Sequence, residues 1–196
     1  MATAPPGDLR FILIDPVGQG QNVGPFARFA DPGIGIGEGR AWSEPIQIEQ
    51  RLHDLVNLVE GSAEADAFHA LMPRFDASRA SGVAEPCRVL VILDFPTNVD
   101  GATARLLTTL LQKGPSHSVH PILMVDTDKS LPYGLNMHEL EHGVTTLAWD
   151  GRRFVWQDPD FRSAWIELDK PARAPLAKHI LQGVLRETSG PVERSA

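Results

Sequence analysis

Three short apolar runs, each closing on an acid, organise the first two thirds of the chain. They read "LRFILID" (9–15), "VLVILD" (89–94) and "HPILMVDT" (120–127). Continuous apolar runs of this length, rich in β-branched residues, predict strands buried on both faces. Between the first two, Ile48, Leu52, Leu55 and Val59 recur at helical spacing. They predict an amphipathic helix over 44–60, with Ser43 as its N-cap and Pro45 in its first turn. The Ala-rich stretch 63–80 extends the helical character, with Pro73 as a break or kink. Before the third run, Asp100 caps a helix that packs through Leu106, Leu107, Leu110 and Leu111 and stops at Gly114. Strands alternating with helices imply βαβ units and a mainly parallel sheet.

The pattern changes near residue 144. "TTLAWDGRRFVW" sets two alternating segments around Asp150-Gly151, a hairpin signal. "AWIELD" predicts one more strand, and 174–187 a last helix. Residues 18–39 are rich in Gly and Pro and predict a long loop. The tail after 188 has no apolar period and reads as frayed. The expected fold is α/β in a single domain over 1–196. It has a βαβ core at 9–130 and a C-terminal hairpin, strand and helix at 144–188.

Composition narrows the partners. The formal charge of −7 argues against a broad basic face for nucleic acid, because phosphate contacts need many cations. Arg152-Arg153 is the only adjacent basic pair, a small tip able to touch phosphate. The single cysteine, Cys87, cannot form an internal disulfide and fits a reducing cytoplasm. No apolar run is long enough to cross a membrane, and the N-terminus lacks the features of a signal peptide.

Four stretches taken together, "PPGDLRFILIDPVGQGQN", "WSEPIQIEQRL", "EPCRVLVILDFPTNVDGATARLLTTLLQKGPSHSVHPILMVDT" and "WDGRRFVWQDP", resemble the ATPase domain of FtsK/SpoIIIE-type DNA translocases. They cover roughly 9–160 in the family's order. The resemblance implies a three-layer RecA-like fold, with ATP and Mg²⁺ as cofactors. Asp94 falls at the Walker B position, which orders Mg²⁺ through water. Asp126 or Thr127 falls at the sensor position, which reads the γ-phosphate. The family's rings use ATP to move double-stranded DNA, so DNA is expected as a partner only through a full assembly.

Two departures limit what the chain does alone. Phe95 stands where the family carries the Glu that polarises the attacking water. The phosphate-binding G-x-x-x-x-G-K-[ST] is missing, since Lys113, Lys129, Lys170 and Lys178 follow Gln, Asp, Asp and Ala respectively. The likeness starts where the family's Walker A helix ends. Its loss would leave a strand edge for an upstream segment, a partner chain, another copy or the C-terminal hairpin to fill. The expected function is therefore the post-Walker-A portion of an ATP-dependent DNA translocase, not competent for hydrolysis by itself. The alternative is a degenerate, non-catalytic interaction module.

Other patterns carry competing chemistry. "HELEH" (138–142) matches the H-E-x-x-H of zinc hydrolases, with His138 and His142 as ligands and Glu139 as base. The segment between Gly134 and Gly143 holds only a short helix, and only the distant Glu167 offers a third ligand. "IDPVGQGQNVG" has a Gly18-x-Gly20 pair, but no long helix follows to face a pyrophosphate. His117 and His120 flank the third strand, and Ser116 lacks a nucleophile-elbow motif. Trp149 and Trp156 either stack on bases or cover a hairpin face.

Overall fold

The computed structural model describes residues 9–27, 41–71, 86–157, 165–167, 170 and 173–188. Its core is a four-stranded parallel sheet in the order β2-β1-β3-β4. The strands are β1 (Leu9–Ile14), β2 (Ala41–Trp42), β3 (Cys87–Phe95) and β4 (Val119–Val125). A one-turn helix α1 (Gly24–Ala27) follows β1. Helix α2 (Pro45–Leu71) leads from β2 to β3, and α3 (Gly101–Lys113) leads from β3 to β4. The α/β architecture expected from the alternating pattern is present.

The core lies between one sheet face and these two helices. Ile48, Leu52, Leu55, Val56 and Val59 of α2 are buried with Leu107 and Leu110 of α3. The same cluster takes Ile12 and Ile14 from β1, Leu90 and Ile92 from β3, and Val119 from β4. Each fully buried aliphatic side chain stabilises the fold by roughly 1.5–3 kcal/mol relative to exposure. Strand residues alternate between faces, so Leu13, Val89, Val91, Leu93, Ile122 and Met124 belong to the opposite face.

Local details refine the sequence reading. Helix α2 begins after Glu44, whose carbonyl accepts from the Ile48 N–H at 3.0 Å, so Ser43 is one residue too early to be the cap. It runs unbroken to Leu71, and residues 72–85 lie outside the described residues. Asp100 caps α3 as expected, accepting from Ala102 N at 3.1 Å and Thr103 N at 2.8 Å. Gly114 does not stop the chain through a left-handed turn. Its φ is −53°, and a 3₁₀ turn (Gly114–His117) continues to Ser118, which holds the left-handed φ of 58°. Glycine is required at 114 because a Cβ there would sit 2.8 Å from the Val119 carbonyl oxygen.

Beyond β4 comes α4 (Met137–Glu141), then an antiparallel sheet of β5 (Thr146–Trp149), β6 (Phe154–Gln157) and β7 (Trp165–Ile166). Trp149 pairs with Phe154 and Leu147 with Trp156, so both tryptophans share one hairpin face. The connection is a four-residue loop, closed by Asp150 N–H to the Arg153 carbonyl at 3.1 Å. Helix α5 (Ala174–Thr188) ends the described chain. No helix among the described residues is long and apolar enough to cross a membrane.

Candidate functional site

In a parallel sheet the loops after the strands gather at one edge, where ligand sites of open α/β folds lie. Three carboxylates arrive there: Asp15 after β1, Asp94 near the end of β3, and Asp126 after β4. Their surroundings differ sharply.

Asp15 is fully buried. Its Oδ1 accepts from Gly18 N at 2.9 Å and Asn22 Nδ2 at 3.1 Å. Its Oδ2 accepts from Gly20 N at 2.9 Å and Asn22 N at 3.1 Å. All four donors come from the loop that follows, so this carboxylate shapes residues 16–22. Gly18 leaves room for it, because a Cβ there would collide with the Asn22 side chain and the Asp15 carboxylate. The Gly18-x-Gly20 pair thus faces the protein's own carboxylate.

Asp94 sits in a bulge. The β3–β4 register shifts between Ile92 and Phe95, and Asp94 takes a left-handed φ of 52°. Aspartate tolerates that region better than most residues, though it is still uncommon. Its carbonyl closes a turn with Thr97 N at 2.9 Å. The carboxylate has no hydrogen-bond or ion-pair partner among the described residues. The bulge also turns Phe95 inward, fully buried in the core cluster. The position at which the family resemblance calls for a water-polarising acid is therefore part of the hydrophobic interior.

Asp126 is committed within the chain. Lys129 Nζ lies 3.1 Å from its Oδ2 and donates to Thr97 Oγ1 at 2.8 Å, tying the β4 loop to the β3 loop. The Lys129 ammonium and the Asp128 N–H hold the Asp126 carboxyl below the usual 3.8. The Asp126 N–H also donates to the Phe95 carbonyl at 2.8 Å. Thr127 is exposed beside this knot.

A groove of about 390 Å³ lies between the first turns of α2 and α3, lined by Pro45, Ile46, Glu49, Asn98, Val99, Asp100 and Thr103. It contains none of Asp94, Asp126 and Thr127. Two helix N-termini converge there, which would favour an anion. Glu49 and Asp100 oppose one. Asp100 stays ionised well into acid, because the Thr103 N–H, the Thr103 hydroxyl and the Ala102 N–H hold its carboxyl below 3.8. These two carboxylates disfavour an anion in the groove.

The remaining candidates stand apart. Helix α4 holds His138 to Glu141 in just over one turn, and His142 follows as its C-cap in an extended conformation. Glu139 makes a capping box with Asn136, accepting from Asn136 N at 3.1 Å while its own N–H donates to Asn136 Oδ1 at 3.0 Å. Leu140 is buried, while His138 and His142 are exposed with ring centroids 6.3 Å apart. No cluster of three metal-ligating side chains occurs among the described residues. Arg153 lies 3.3 Å from Asp150 and 5.4 Å from the Trp165 ring centre, so Asp150 offsets part of the basic tip. Arg152 is exposed beside it.

Sequence reasoning missed Asp15 and Lys129. The spacing of small or amide residues at three, five and seven positions after Asp15 was a usable signal. Lys129 gave none, because its Thr97 partner is 32 residues away. No protein-family model matches this chain, and no curated protein matches it.

Proposed function

We propose that this chain is the post-Walker-A portion of an FtsK/SpoIIIE-like ATP-dependent DNA translocase motor. It supplies Asp94 to a nucleotide site that another segment must complete. One observation carries the reading. Asp94, with no side-chain partner among the described residues, is next to last in β3 beside β4, and among the described residues β4 is the terminal strand of the sheet. A phosphate-binding strand paired to β4 would deliver its loop next to Asp94. Mg²⁺ held through water at Asp94 would then neutralise phosphate charge, with Asp126 or Thr127 across from it. Double-stranded DNA would be engaged only by the assembled ring, since this chain is acidic and its one basic tip is partly offset.

A second reading is favoured by the burial of Phe95. With a core side chain in place of the water-polarising acid, a completed site would hold nucleotide without turning it over, as a degenerate interaction module would. The deciding experiment reads the gene upstream of Met1, in frame, for G-x-x-x-x-G-K-[ST] and expresses the chain with that segment. The motor reading expects Mg²⁺-ATP hydrolysis that falls at least about a hundredfold in Asp94→Asn. Nucleotide binding without hydrolysis supports the second reading, and absence of the upstream motif rejects the first.

A further inference from the structure

Arg173, just before α5, and Leu176 and Ile180 within it are spaced by three and four residues, which puts them on one face. Arg173 shares the helical turn, because its carbonyl accepts from Ala177 N at 3.0 Å. All three side chains are exposed, Leu176 at 53% and Ile180 at 52%. A helix of 15 residues is marginal in water by itself and is stabilised by packing its apolar face. The segment is also basic within an acidic chain. Residues 170–196 hold five Lys or Arg against two Glu, while the whole chain carries −7.

The groove between the first turns of α2 and α3 has the opposite character. Pro45, Ile46 and Val99 form its apolar wall, and Glu49 and Asp100 are its carboxylates. Ile46 and Glu49 stand three residues apart on α2 and so share a face. Each helix N-terminus brings about half a positive charge, which the two full carboxylates outweigh. Ile46 is 79% exposed. Tyr133, 92% exposed, borders the α3 side, where its carbonyl oxygen would lie 2.9 Å from a Cβ on Gly101. These are the two most exposed large hydrophobic side chains among the described residues. Bare apolar side chains gathered beside polar ones mark a surface that meets another protein.

We infer that this groove is the docking site for α5 of a second copy of the chain, and that two copies exchange these helices reciprocally. Leu176 and Ile180 of one copy cover Ile46 and Val99 of the other, and Arg173 meets Glu49 and Asp100. The mode is an amphipathic helix in a groove, anchored at positions i and i+4. Charge selects the pairing of unlike faces. Groove against groove would bring four carboxylates together, and α5 against α5 would bring cations together. The strip and the groove are both exposed within one copy, so the chain does not cover its own groove. One short helix makes a small interface, and reciprocal exchange doubles it and closes the assembly as a dimer. The dimer involves no nucleotide and none of Asp94, Asp126 and Thr127, so it stands or falls apart from the proposed motor.

The test is sedimentation equilibrium of the 196-residue chain and of variants at exposed positions, which leave the core intact. The wild type should dimerise with a Kd at or below about 100 μM. Ile46→Glu in the groove and Ile180→Glu on the helix should each raise the Kd about tenfold or more. Mixing these two variants should give dimers tighter than either forms alone, because one of the two contacts is then intact. Glu49→Arg and Arg173→Glu should each weaken the dimer about threefold, and the double variant should recover most of the loss. A wild-type chain that stays monomeric at about 100 μM would overturn the inference. So would a dimer insensitive to Ile46→Glu, or a mixture no tighter than its components. A monomer whose urea midpoint falls in Ile180→Glu would also overturn it, and would assign α5 to its own chain.

Discussion

Replacing Asp15 by Asn is the sharpest probe of how this fold is held at its functional edge. The amide keeps the shape but turns one acceptor oxygen into a donor. Either oxygen receives two hydrogen bonds, so whichever way the amide turns, two donors meet a third. Hydrogen bonds to a charged group contribute about 1.5–3 kcal/mol each, and a buried donor left unpaired costs about 1–3 kcal/mol. With loop relaxation allowed, Asp15→Asn should cost about 3 kcal/mol or more, much the same as Asp15→Ala. Asn22→Ala keeps its backbone donor and loses only the side-chain bond, while Oδ1 keeps the Gly18 N–H, so it should cost about 1.5 kcal/mol, the low end of that range. Urea unfolding followed by circular dichroism measures both. At a slope of about 2 kcal/mol/M, 3 kcal/mol moves the midpoint by about 1.5 M. A midpoint shift for Asp15→Asn no larger than that of Asn22→Ala would refute the view that this carboxylate organises the loop.

Phe95→Ala should cost about 3–5 kcal/mol in thermal or urea unfolding, because the ring is fully buried. Phe95→Glu should be at least as costly, since it buries a charge without a partner. Asp94→Asn should change stability by less than about 0.5 kcal/mol, because the carboxylate has no partner among the described residues and Asn also accepts a left-handed φ. Asp94→Val should cost more than about 1 kcal/mol, because a branched side chain is strained there. The Asp100 carboxyl is held below 3.8 in the fold, so its charged form stabilises the protein above that pH. The contribution is lost as pH falls through the depressed value, so the stability gap between wild type and Asp100→Asn should be constant near neutrality and shrink below 3.8.

The strands were legible as short continuous apolar runs, even though Ile122 and Met124 of β4 are exposed, and the helices because their core faces repeat at 3.6 residues. Asp100 could be read as a cap because its partners lie two and three residues ahead. Gly114 ends the helix as read, but not through a left-handed turn: glycine is needed there for the close approach to the Val119 carbonyl five residues on. The roles of the acids were the least legible. Asp15 bonds mostly to backbone N–H groups, which carry no residue identity, so only the spacing of Gly18, Gly20 and Asn22 after it signals its role. The bulge that separates Asp94 from Phe95 is a property of the β3–β4 pairing. The apolar run gives no sign that one residue more is used on β3 than on β4.

That bulge has a consequence for the proposed site. It gives Asp94 its left-handed backbone, and it turns the next side chain into the core. The two effects cannot be adjusted separately. An acid introduced at position 95 would enter the hydrophobic cluster and leave no residue to fill the volume of the ring. Restoring a water-polarising group therefore requires undoing the bulge, which would also re-aim Asp94. Any segment that completes the edge beside β4 must then bring both the phosphate cradle and the group that positions the attacking water. Under the proposed reading, a segment that brings the cradle alone would complete a site that binds nucleotide as a fixed ligand without turnover. Hydrolysis would then depend on a second acid or amide outside this chain. A loss of turnover on removing that residue, with nucleotide binding intact, would locate it.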